Sequence, residues 1–140
     1  MAELERIVGC IVTVASLVFQ HTGPDIVAWL AVTVACYAFL SHKPLRSLAP
    51  LLLLPGVWIG LIVWSGAMWS RTMHHPADWM SFPPLWPIAL AWPLYALLTL
   101  FLVWRLVDAR ALTVAFAILN AQPLQYAIFV GGMAVTGVWL

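Results

Sequence analysis

Charge is what this chain of 140 residues has least of. Only 8% of its residues are Asp, Glu, Lys or Arg, and its mean hydropathy is +1.00. A soluble domain carries about a quarter charged residues, so a globule covered against water on all sides is excluded. The net charge of +1 offers no basic face, and nucleic acid is not an expected partner. Cysteine is equally scarce. Cys10 and Cys36 stand alone without a CxxC, which argues against a disulfide framework or a cysteine zinc site. There is no HExxH, no GxSxG and no glycine-rich phosphate loop, so an enzyme is the least supported class and no cofactor is expected. The opening "MAELER" sets two acids beside one arginine, whereas a signal peptide starts with a basic region. No cleaved leader is expected.

What the chain has in abundance is uncharged sequence. Five segments contain no Asp, Glu, Lys or Arg: Ile7–Gln20, Ile26–Leu40, Leu48–Trp69, Leu85–Trp104 and Ala111–Leu140. Their apolar runs are continuous, unlike the alternating strands of outer-membrane barrels. The expected fold class is an all-α integral membrane protein. It is one polytopic domain, 1–140, with about five transmembrane segments at approximately 4–21, 24–40, 48–69, 85–104 and 111–140. A crossing helix needs about 20 residues. The first two segments are short, and "HTGPD" (His21–Asp25) parts them with a Gly-Pro breaker, which predicts a tight helical hairpin or a membrane-dipping one. The last segment is long, about 45 Å as a helix. "NAQP" (Asn120–Pro123) interrupts it, so it is either an interfacial stretch followed by a crossing or one helix kinked near Pro123.

The hairpin layout sorts the charges. With a cytoplasmic N-terminus, Arg6, Lys43, Arg46, Arg105 and Arg110 fall inside, Arg71 alone falls outside, and the C-terminus is outside. That is the bias of the positive-inside rule and points to a multi-pass protein of a bacterial inner membrane. In this layout His21, His42, His74 and His75 all lie in loops or at segment ends. No acid or base is then left inside the bundle for ion coupling, and no span offers a haem ligand.

Four groups of residues carry possible chemistry. "MWSRTMHHPADWM" (Met68–Met80) holds Met73, His74, His75 and Met80, soft and imidazole ligands suited to copper or zinc. Trp69 and Trp79 bracket it as an aromatic belt would, and no third His or Cys is near, so a wet interfacial loop is the first expectation and a metal site the alternative. Asp78 beside those histidines is an acid–base pair with no supporting motif. Gly56 and Gly60, four apart, form a small-residue face that lets helices approach closely. Asn120, Gln122, Gln125 and Tyr126 are the most polar stretch within any apolar segment. An unpaired amide in hydrocarbon costs several kcal/mol, so these residues either hydrogen-bond between helices or line a site at a broken helix. The hairpin would also set Cys10 and Cys36 at similar depth near the cytoplasmic side.

The stretch Ser81–Arg105, rich in Pro and Trp, resembles the loop-and-helix of the tryptophan-rich sensory (translocator) family. In that family the stretch follows the first span, whereas here it follows the third, so no residue roles are carried over. The expected function is a non-catalytic accessory or structural subunit of a larger membrane assembly. Its partners would be the lipid bilayer and other membrane subunits or its own copies. The alternatives are an oligomeric carrier or channel for an uncharged or weakly polar solute, and copper or zinc handling at loop 68–80.

Overall fold

The computed structural model describes residues 1–23, 25–41, 45–72 and 85–136, and among these every regular element is helical. Five α-helices follow one another: α1 Ala2–Thr22, α2 Asp25–Ser41, α3 Leu53–Thr72, α4 Trp86–Arg105 and α5 Arg110–Thr136. Two 3-10 segments, Leu45–Leu52 and Val107–Ala109, lead into α3 and α5. Three stretches are long and apolar enough to cross a membrane: Ser47–Arg71, Trp86–Arg105 and Val107–Thr136.

Local sequence explains the ends. Pro87 sits in the first turn of α4, where its missing N–H costs nothing and its fixed φ suits a helix. Gly23 closes α1 at φ 77° and sends its N–H back to the Phe19 carbonyl at 3.0 Å. Glycine takes that positive φ without a Cβ penalty. Pro123 lies inside α5, which runs unbroken through it. The polar stretch at Asn120 is therefore part of one helix, not a turn between an interfacial piece and a crossing.

Helices α1, α3 and α5 form the centre, α4 covers α3 and α5, and α2 lies on α5 and on Leu45–Leu52. Side-chain contacts fix the directions. Ile11 meets Gly66, and the Phe19 ring meets Trp58 edge-on with centroids 5.9 Å apart, so α1 is antiparallel to α3. Trp58 bonds Asn120 and Ser65 abuts Gly131, so α3 is parallel to α5. The Tyr95 hydroxyl donates to the Ala117 carbonyl at 2.6 Å, pairing α4 antiparallel with α5 across their short turn.

These contacts overturn the expected hairpin. The end of α1 lies halfway along α5, its His21 ring 5.5 Å from that of Tyr126. The end of α2 lies at the start of α5, where the Tyr37 hydroxyl donates to the Asp108 carbonyl. So α2 continues in the direction of α1, and α3 runs the opposite way. Each side of the break carries an apolar row. Val14, Val18, Thr22, Ile26 and Leu30 are buried, and Val34 and Ala38 pack against the core. Neighbours four apart lie one above the other on a helix, so each piece buries its own row, Val14, Val18 and Thr22 on α1 and Ile26 and Leu30 on α2.

Two further expectations change with it. Arg6, five residues before Ile11, lies level with Arg71, five residues after Gly66, rather than with Arg105 and Arg110. Cys10 and Cys36 fall in opposite halves of the bundle rather than at one depth.

Candidate functional site

The break between α1 and α2 sits at the middle of the bundle. Phe19, two residues before His21, touches Trp58, which is near the centre of the stretch Ser47–Arg71. At 1.5 Å per residue Trp58 is about 17 Å from Ser47 and about 20 Å from Arg71, near the middle of a stretch longer than a hydrocarbon core of about 30 Å.

Toward the inside, the polar groups at this level are satisfied. Trp58 Nε1–H donates to Asn120 Oδ1 at 3.0 Å, and Asn120 Nδ2 donates to the Phe116 carbonyl at 2.8 Å. Asn120 is fully buried, so this amide ties α3 to α5 in an apolar interior where an unpaired one would be costly. Thr22 is buried too and donates to the Val18 carbonyl at 3.0 Å.

Toward the outside they are not. His21, Asp25, Gln122 and Gln125 are exposed and Tyr126 is half-buried. His21 Nδ1 is 2.8 Å from the Leu17 carbonyl. A carbonyl only accepts, so Nδ1 carries the hydrogen and the neutral ring keeps its lone pair on Nε2. Among the described residues, Asp25, Gln122 and Gln125 have no side-chain hydrogen-bond or ion-pair partner. Gln122 lies one turn before Tyr126, hence on the same side of α5. Pro123, without an N–H, leaves the Leu119 carbonyl lacking its helical donor at the same level.

The sequence drew attention to Asn120, Gln122, Gln125 and Tyr126, and the fold brings one of them, Tyr126, against His21, which the hairpin had placed in a loop.

The other candidates lie elsewhere. A Cβ at Gly56 or Gly60 would meet nothing within 4 Å, so among the described residues no neighbour packs closely on that face. The close approach is at Gly66, where a Cβ would stand 2.6 Å from Ile11 Cα. Met73, His74, His75, Asp78 and Met80 lie outside the described residues. Among the described residues no three His, Cys, Asp or Glu side chains gather as a metal site would require. At the end of the bundle opposite Arg6 and Arg71, Ser47, Leu48, Arg105 and Asp108 line a shallow open pocket. No protein-family model matches the chain, and no curated protein and no solved structure is significantly similar to it.

What the structure brings together at the helix break is an imidazole and a phenol, His21 and Tyr126. They can exchange protons and hydrogen bonds.

Proposed function

We propose that the chain is a non-catalytic, multi-pass subunit of a larger assembly in a bacterial inner membrane, joined to other membrane subunits or to its own copies. It crosses the bilayer four times: α1 and α2 as one discontinuous span, then α3, α4 and α5. Arg46, Arg105 and Arg110 fall toward one end, Arg6 and Arg71 toward the other. The positive-inside rule makes the first end cytoplasmic, with both chain ends described by α1 and α5 outside.

One observation carries the assembly. Along α5 the residues Ala111, Ala115, Ile118, Gln122, Gln125 and Phe129 form an exposed stripe, apolar except for two glutamines near its middle. Facing lipid, each amide would lose its hydrogen bonds at a cost of several kcal/mol. A helix from another chain, hydrogen-bonding across the contact, removes that cost.

Mass spectrometry of the protein purified in mild detergent tests this. The wild type should carry a partner or further copies in fixed ratio. Gln122→Leu/Gln125→Leu should lose them while keeping its helix content. A wild type that runs as a lone chain, or an assembly indifferent to the double change, would overturn the proposal. The discontinuous first span favours a second reading, an oligomeric carrier for an uncharged or weakly polar solute, since broken helices line solute sites in transporters.

A further inference from the structure

We propose that the exposed stripe of α5 is the contact between two copies of this chain, paired as parallel helices about a two-fold axis along the membrane normal. The inference rests on the assembly described above and names a second copy as the partner that covers this face.

The spacing of the stripe is the first observation. From Ala111 through Ala115, Ile118, Gln122 and Gln125 to Phe129 the steps are four, three, four, three and four residues, and all six side chains are exposed. Gly132, three residues further on, is half-exposed, and a Cβ added there would meet nothing within 4 Å. Alternate steps of four and three are those of the a and d positions along which one helix follows another. Alanines at one end of the stripe and glycine at the other let two backbones approach closely.

The glutamines give the seam its register. They lie two and five residues beyond Asn120 on α5, about 3 and 8 Å along the axis. Asn120 is bonded to Trp58, near the centre of the span Ser47–Arg71, so both amides are deep. Neither has a side-chain partner among the described residues.

Symmetry then selects the occupant. An amide carries both N–H donors and a carbonyl acceptor, so two identical amides can bond each other reciprocally. Copies of one chain insert with one topology, and their α5 helices therefore meet parallel. In a parallel pair each a or d position faces its own equivalent, which sets Gln122 against Gln122 of the second copy and Gln125 against Gln125 at matching depths. A different subunit would have to carry amides at both depths, whereas a second copy has them by symmetry. From Ala111 to Phe129 there is no Asp, Glu, Lys or Arg, so two such faces meet without charge repulsion.

Disulfide scanning in membranes tests the pairing. In a Cys10→Ala/Cys36→Ala chain, Ile118→Cys and Phe129→Cys should each run at twice the monomer mass on a non-reducing gel after mild oxidation. Leu97→Cys on α4 is the control, because Leu97 is 66% exposed against 68% for Ile118 but lies off the seam. It should stay single. Adding Gln122→Leu/Gln125→Leu to Ile118→Cys should abolish its dimer band. No dimer at Ile118→Cys, an equal band at Leu97→Cys, or a band indifferent to the glutamines overturns the pairing. Mass spectrometry in mild detergent separates the two readings. A different protein retained in fixed ratio, with no dimer at Ile118→Cys, overturns the second copy while the subunit reading stands. A chain that runs alone takes both down.

Discussion

Gly66 is where α1 and α3 come closest, and it gives the sharpest test of the fold. A methyl group added there stands 2.6 Å from Ile11 Cα and 2.8 Å from Ile11 N and Cγ1. An ordinary carbon contact is about 3.5–4.0 Å. Two of the three obstructing atoms are backbone, so no change of rotamer removes the clash, and the helices must part by about 1 Å. Overpacking of this kind costs about 1–3 kcal/mol. Alanine's advantage over glycine in a helix returns up to about 1 kcal/mol. Gly66→Ala should therefore lose about 1–2 kcal/mol. Gly60→Ala is the control. Nothing lies within 4 Å of its added methyl, so only the helix-propensity gain remains. Unfolding in a single detergent, followed by the fluorescence of the nine tryptophans, would compare them. Trimming Ile11 to alanine in the Gly66→Ala background should recover little, because the backbone atoms stay. If the two glycine changes shift stability equally and in the same sense, the close approach is wrong, and the antiparallel pairing of α1 with α3 loses its main support.

Two other outcomes are expected. Mild oxidation of membranes should give no disulfide between Cys10 and Cys36 of one chain, because the helical path between them is roughly 40 Å and a disulfide needs Cα atoms within about 7 Å; an intrachain bond seen on a non-reducing gel would restore the hairpin. Asn120→Leu should cost about 1–3 kcal/mol by stranding the Trp58 N–H, and Trp58→Phe in the same chain should recover much of that loss; two changes that add without coupling in a double-mutant cycle would mean that the bond contributes nothing.

The helices themselves were legible because apolar continuity and breakers are local signals. Segments at 4–21, 24–40, 48–69 and 85–104 differ from α1, α2, α3 and α4 by only a few residues at each end. Direction was not legible at "HTGPD". A Gly-Pro break permits a reversal and a continuation alike, and the choice depends on which surface of α5 is left to cover. The same holds for the candidate residues. That Asn120, Gln122 and Gln125 need partners follows from the cost of an amide in hydrocarbon, whatever the fold.

The sequence by itself determined a helical chain too apolar for water, the places where its helices stop, and the polar groups that must be paired. Only the tertiary structure decided which of those groups meet. Asn120 turns inward to Trp58, whereas Gln122 and Gln125, a few residues on, turn outward. The reason is the helical period: positions two apart in sequence face nearly opposite directions, and contact with α3 on one side alone selects which of them is buried. His21 met Tyr126 in the same way: its place along the bundle came from Ile11 lying on Gly66 and Tyr37 on Asp108, contacts between residues far apart in sequence that no local pattern encodes.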